Sequence, residues 1–160
     1  TKATDRMRSI RGLDDRHHFT LVCADLKQAG PYMQLDTHMF RAMRAVTPGP
    51  YTFIVPATRE VPRRMAHPKK KTVGIRIPAN TVVRELIDAV GEPLMSTTLI
   101  LPEQDQPMTE GWIVNEELGG QLDAVVDAGD PPSEPTTVVD YSSGVADVLR
   151  EGAGDPTPFQ

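Results

Sequence analysis

Apolar residues fall alternately into compact runs and into stretches of helical spacing along the chain. Residues 3–11 carry Met7 and Ile10 among Arg6, Arg8 and Arg11, the pattern of a short basic helix. Phe19-Thr20-Leu21-Val22-Cys23 is an apolar run with β-formers and predicts a buried strand. Helical spacing returns at Leu35, Met39, Met43 and Val46, with Asp36 placed as N-cap. Thr47-Pro48-Gly49-Pro50 ends that helix, because two prolines withhold donors and restrict the residues before them. Residues 51–55 and 73–77 predict two more strands. Asn80 then caps a helix with apolar positions Val82, Val83, Leu86, Ile87 and Val90, closed by Gly91. Residues 95–101 predict a strand running into Pro102, and a weaker helix around 109–121 precedes the apolar segment 122–126. Residues 136–140 and 145–149 predict a final strand pair, after the connector Asp130-Pro131-Pro132-Ser133-Glu134-Pro135. Residues 152–160 are expected to be a flexible tail. Strands interleaved with helices predict an α/β fold, its sheet mixed because the last strands lack room for a crossover helix.

Composition narrows the class. With 160 residues, 39% hydrophobic and 24% charged, the chain suits one globular domain. No apolar run approaches the roughly 20 residues of a membrane span, and no secretory signal opens the sequence. The single cysteine, Cys23, excludes an internal disulfide framework and predicts a cytoplasmic protein. The chain starts at Thr1, already inside a predicted helix, so a longer parent protein is expected. The net charge of −5 divides sharply: residues 1–76 hold 15 Lys and Arg against 6 Asp and Glu, and residues 77–160 hold 2 against 16. Such a division suits either a face that attracts phosphates or two halves that fold together and neutralise each other.

Most chemistries find no support. There is no Rossmann or Walker glycine loop, since Gly119-Gly120 follows helical residues rather than a strand. His17, His18, His38 and His67 lack metal-ligand spacing with Cys23 or the carboxylates, and His17-His18 reads as an exposed turn. Asp14-Asp15 reads as a solvated pair, and Cys23, inside an apolar strand, as an inert core thiol. Hydroxyl and guanidinium groups remain at strand ends: Ser96-Thr97-Thr98, Thr136-Thr137, Arg76 and Arg150. Converging on one pocket, they would make a phosphate or carboxylate site; dispersed, they are surface hydrogen bonds and ion pairs.

A set of landmarks in order along the chain resembles the YrdC/YciO family. They are Phe19-Thr20-Leu21-Val22-Cys23, Thr47-Pro48-Gly49-Pro50-Tyr51-Thr52-Phe53, Glu60-Val61-Pro62-Arg63-Arg64 and Lys71-Thr72-Val73-Gly74-Ile75-Arg76-Ile77-Pro78. Gly91-Glu92-Pro93-Leu94-Met95-Ser96-Thr97, Pro135-Thr136-Thr137-Val138-Val139-Asp140 and Arg150-Glu151-Gly152 complete them, closest to the YciO branch. The resemblance implies a YrdC-like twisted mixed sheet with helices over residues 1–151, lacking an N-terminal segment, and one large basic concave cavity. It implies relatives that make threonylcarbamoyl-adenylate from threonine, bicarbonate and ATP, with Mg²⁺ accompanying the ATP, for tRNA modification at adenosine 37. It implies a nucleotide site at Arg11, Arg76, Ser96, Thr98, Thr137 and Arg150, with no catalytic side chain and no resident metal. Family members are also described as binding double-stranded RNA or tRNA, a role open here to Arg59, Arg63, Arg64, Lys69, Lys70 and Lys71. Two motifs depart from the synthase branch: Arg11-Gly12-Leu13 stands for Lys-x-Arg, and Thr98-Leu99-Ile100 for Ser-x-Asn. The expectation is a nucleotide binder with weak or lost synthase activity; the alternative is a non-catalytic RNA binder.

Overall fold

The strand-forming runs assemble into one six-stranded sheet. It comprises β1 (Thr20–Val22), β2 (Tyr51–Pro56), β3 (Thr72–Arg76), β4 (Leu94–Ser96), β5 (Thr137–Asp140) and β6 (Asp147–Arg150), in the order β4-β1-β3-β2-β5-β6. β1 runs parallel to β3 and β2 parallel to β5, while the other three pairs are antiparallel. The sheet is therefore mixed. This computed structural model describes residues 2–14, 16–17, 19–132 and 134–160. The chain divides into two compact units, Thr1–Asp14 with Thr98–Ser133 and Asp15–Thr97 with Glu134–Gln160, and the whole sheet belongs to the second.

Alternation along β2 sets the two faces. Tyr51, Phe53 and Val55 are buried, and the intervening Thr52 and Ile54 are half-buried on the other side. Register carries that parity across the sheet: Phe53 lies opposite Ile75 and Val139, and Ile75 opposite Leu21. Phe53, Ile75 and Val139 are all 0% exposed. Met39 and Met43 of α3 (Thr37–Val46) join the same core. The Asp36 carboxylate accepts the Met39 N–H at 2.8 Å, so the N-cap read from the sequence is in place. The helix α4 (Thr81–Val90) is bounded as expected, by the Asn80 side chain on the Val83 N–H and by Gly91 in the left-handed region at φ 81°. The smaller unit holds α1 (Lys2–Arg11) and α5 (Gly111–Leu118), and in it Arg6 of α1 pairs with Asp123 at 3.0 Å. The four-residue α2 (Leu26–Ala29), capped by Asp25, had no periodicity to announce it.

The structure departs from the sequence pattern at four places. The strand predicted over 95–101 ends at Ser96, because β1 offers it only three partners, Thr20, Leu21 and Val22. The segment 122–126 forms no regular element. Val82, Leu86 and Val90 are exposed, and α4 buries Ile87 and half-buries Val83. The C-terminal segment, expected as a flexible tail, places Phe159 in the core. Phe159 is 5% exposed and meets the rings of Tyr51, Phe53 and Tyr141 edge-on at 5.7 to 6.2 Å. Tyr51 donates its hydroxyl to the Asp155 carbonyl at 3.1 Å, and Gly154 packs so closely that a Cβ there would stand 2.6 Å from the Tyr51 ring. Proline and glycine at 152–158 hid a segment held by one aromatic residue. The readings placed on Asp15 and His18 lie outside the described residues.

Replacing Phe159 with alanine should therefore destabilise the protein by about 3–5 kcal/mol, the usual cost of removing a buried ring. Urea unfolding followed by tryptophan fluorescence or circular dichroism measures it; a flexible tail would leave the midpoint where it was.

Candidate functional site

The sheet face opposite the aromatic core is polar. Thr20 and Val22 of β1 pair with Gly74 and Arg76 of β3, and Thr20 pairs with Ser96 of β4. Thr52 pairs with Val138, and Val138 with Arg150. Continuing the β2–β3 register by one step sets Thr52 beside Arg76. Arg76, Thr52, Val138 and Arg150 thus form one row across four strands on this face. The Thr52 and Thr136 hydroxyls are hydrogen-bonded at 2.7 Å. Arg150 donates from Nε and Nη2 to the Thr136 carbonyl at 2.9 and 2.7 Å, and from Nη2 to the Thr136 hydroxyl at 3.1 Å. That fork holds the guanidinium to the end of β5.

Arg76 is the unsatisfied member. Its Nε is buried and has no hydrogen-bond partner. Burial, followed by the charge of Arg150, holds its pKa below the ordinary arginine value. Among the described residues no carboxylate pairs with either guanidinium. Asp140, two positions beyond Val138 on the same face, accepts the Ser142 N–H at 2.7 Å instead. Two like charges set together with donors to spare form an arrangement that an anion relieves.

The residues proposed from sequence separate accordingly. Arg76 and Arg150 share one row of this face, and the charge of Arg150 acts on Arg76. Ser96 shares their face two strands away and donates to the Thr20 carbonyl at 3.3 Å. Thr137 does not belong with them: it is 0% exposed, on the core side, donating to the Gly154 carbonyl at 2.5 Å and accepting the Gly152 N–H at 2.9 Å. Its hydroxyl fastens the C-terminal segment and has no donor left for a phosphate oxygen. Thr136 and Thr52 take its place, and strand parity is the signal that finds them, since inward Tyr51 and Phe53 require an outward Thr52. Arg11 and Thr98 belong to the other unit. There Arg11 Nε donates to the Ile100 carbonyl at 3.0 Å.

Of the six basic residues between β2 and β3, Arg59, Arg63 and Lys71 line a half-open groove of about 910 Å³ with Gln34, Thr58 and His67. Arg64, Lys69 and Lys70 are exposed and are not among its lining residues. Among the described residues no group of three or more His, Cys, Asp or Glu side chains is placed to hold a metal ion, and no helix is long and apolar enough to cross a membrane.

Fold and site together define an α/β domain with an aromatic-cored mixed sheet and an arginine-bearing polar face. The pattern of the Sua5/YciO/YrdC family, described as telomere recombination, matches residues 1–152, and the chain belongs to that family. It is 41% identical over 157 residues to the uncharacterized protein YciO of Escherichia coli, covering 98% of this chain and 76% of that one. The crystal structure of E. coli YciO superposes with a TM-score of 0.92, covering 100% of this chain and 78% of the other. A threonylcarbamoyl-AMP synthase of Vibrio vulnificus is 28% identical over 127 residues, 78% of this chain and 67% of that protein. The fold also matches Sua5 of P. abyssi, solved with L-threonine, at a TM-score of 0.84 and 22% identity over 94% of this chain and 44% of the other.

Cys23 plays no part in the polar face. Burial, helped by the charge of Asp25, pushes its thiol from 9.0 up to about 12. Native Cys23 should therefore be alkylated at pH 9 about two to three orders of magnitude more slowly than in the urea-unfolded chain, as mass spectrometry would show. The sign for stability follows: the unfolded thiol ionises near pH 9.0 and the native one near 12, so this group lowers stability as pH rises between them.

Proposed function

We propose that this protein binds a nucleotide, ATP or AMP, through the polar face of its sheet. The phosphate would sit between Arg76 and Arg150, with Thr52 and Thr136 as hydroxyl partners. The observation that carries this is two guanidiniums on one row of the face, neither paired with a carboxylate among the described residues, one of them with a buried Nε lacking an acceptor. Kinship with a threonylcarbamoyl-AMP synthase supports it, since that product contains AMP. Mg²⁺ would arrive with ATP, as a hard cation held mainly by phosphate oxygens and water.

In isothermal titration at low salt, Arg150→Ala and Arg76→Met should each weaken ATP binding by roughly 10- to 150-fold, the effect of losing a charged hydrogen bond worth about 1.5–3 kcal/mol. Unchanged affinity in both, with folding verified by circular dichroism, would remove the sheet face as the site. Catalysis is expected to be poor, because Leu13 and Ile100 stand where the synthase branch has polar side chains. Losing one donor to developing charge costs about 10²–10³ in rate. Pyrophosphate release from threonine, bicarbonate and ATP should stay near background, and robust turnover would overturn that expectation.

A second reading, binding of double-stranded RNA or tRNA, is favoured by the exposure of Arg64, Lys69 and Lys70 along one loop. Among the described residues neither Lys69 nor Lys70 pairs with a carboxylate. Only 5% of the chain is aromatic, so contact would be with phosphates and duplex shape rather than stacked bases. Lys69→Ala with Lys70→Ala should weaken duplex binding uniformly across sequences and flatten the salt slope by about 1.5 to 2 units. No duplex binding by the wild type at low salt would end this reading.

A further inference from the structure

β2 and β3 are antiparallel neighbours, which a two-residue turn could join. Here residues 57–71 intervene, and they are tied down along their length. The Ala57 N–H donates to the Lys71 carbonyl at 2.9 Å, the Thr58 N–H to the Tyr32 carbonyl at 3.1 Å, and the Thr58 hydroxyl to the Pro31 carbonyl at 2.6 Å. The Met65 N–H closes a turn on the Pro62 carbonyl at 2.8 Å, and the Val61 side chain, 5% exposed, is anchored in the core. His67 Nδ1 accepts the N–H groups of Lys69 and Lys70 at 3.3 and 3.1 Å, while its own N–H donates to the Thr72 carbonyl at 2.9 Å. Lys71 is the only non-glycine residue with positive φ among the described residues, at 54°. A lysine in the left-handed region carries a backbone cost that asparagine or glycine would reduce.

This built loop presents cations to a concavity. Arg59, Arg63 and Lys71 line the groove of about 910 Å³, with Thr58, Gln34 and His67 as further polar groups, and none of the lining residues is acidic. Glu60, the one carboxylate between 57 and 71, is not among them. Val61 and Ala66 supply apolar wall. The volume lies in the range of small-molecule sites, about 300–1,000 Å³. A duplex RNA needs a surface spanning about 16 base pairs and could touch only the rim. Three cations around one half-open space, with no acid to neutralise them, fit a compact ligand of high negative charge.

We infer that this groove is a second anion site, separate from the sheet face, which takes a small molecule carrying linked phosphate groups. Arg59 and Arg63 supply planar forks to phosphate oxygens, and Lys71 a point charge. The strained backbone at Lys71 sets that residue at the groove.

The test uses inorganic tripolyphosphate as probe, titrated calorimetrically into the full chain at low salt, with amide chemical shifts mapped by NMR. Binding is expected, with shifts centred on Thr58, Arg63, His67 and Lys71. Arg63→Gln and Lys71→Asn should each weaken it about 10-fold or more, a loss typical of one charged hydrogen bond. Asparagine suits the left-handed backbone, so Lys71→Asn should remain folded, and a thermal melt checks it. Arg150→Ala should leave the groove shifts intact even where it removes ATP binding, which separates this site from the one proposed on the sheet. Failure of tripolyphosphate to bind would overturn the inference. So would binding lost in Arg150→Ala but kept in the groove variants, or shifts of the loop with duplex RNA alone.

Discussion

Phe53, 0% exposed at the middle of the longest strand, sets the orientation of the residues around it. It stacks near Tyr51 and Tyr141 at 5.7 and 6.4 Å and meets Phe159 edge-on at 5.7 Å. Because successive side chains in a strand point to opposite faces, an inward Phe53 sends Thr52 and Ile54 outward. Hydrogen-bonded register then transmits the choice to Ile75, Leu21 and Val139 on the core side, and to Arg76, Val22 and Val138 on the other. A one-residue slip of β2 or β3 would turn Thr52 or Arg76 toward the core, at a desolvation cost no partner there offsets. The same parity sets Thr137 and Thr136, adjacent in sequence, to opposite tasks. One fastens the chain end beneath the aromatic cluster, and the other anchors Arg150.

The polar face is electrostatically unfinished. Arg150 is oriented by three donations to Thr136, yet its charge still acts on Arg76, whose Nε is buried without an acceptor. Native proteins satisfy most buried donors, so an orphaned guanidinium Nε on a charged face is an exception to the rule. The groove beside residues 57–71 is of another kind: its cations sit on a loop hydrogen-bonded along its backbone, with no acid among the lining residues. The groove's cations come from the basic part of the sequence, whereas the polar face combines Arg76 with Arg150, which with Arg84 makes up all the Lys and Arg of residues 77–160. The charge division is thus a local property of particular surfaces.

The residues of the sheet face and those around Arg11 lie in different units. Thr52, Arg76, Thr136 and Arg150 belong to the unit that holds the sheet. Leu13 and Ile100 belong to the other, where the Arg11 Nε reaches the Ile100 carbonyl. A backbone carbonyl is available whatever the side chain, so that contact does not depend on the isoleucine.

Periodicity, caps and breakers were sufficient to read most elements from the sequence. Asp36 and Asn80 cap the helices where their spacing predicts, Gly91 closes α4, and the apolar runs at 19–23, 51–55 and 73–77 are strands. These signals are local, because a cap or a turn acts within a few residues of itself. The charge division and the short inventory of arginines and hydroxyls were legible for the same reason. Tertiary structure decided what depends on partners distant in sequence. Only β1's three pairing positions end β4 at Ser96, and only the Tyr51, Phe53 and Tyr141 rings bring Phe159 inside from a proline- and glycine-containing segment. Likewise, Thr136 rather than Thr137 faces Arg150 because β5 must match the parity of β2, a constraint set more than eighty residues earlier in the chain and expressed only when the two strands pair.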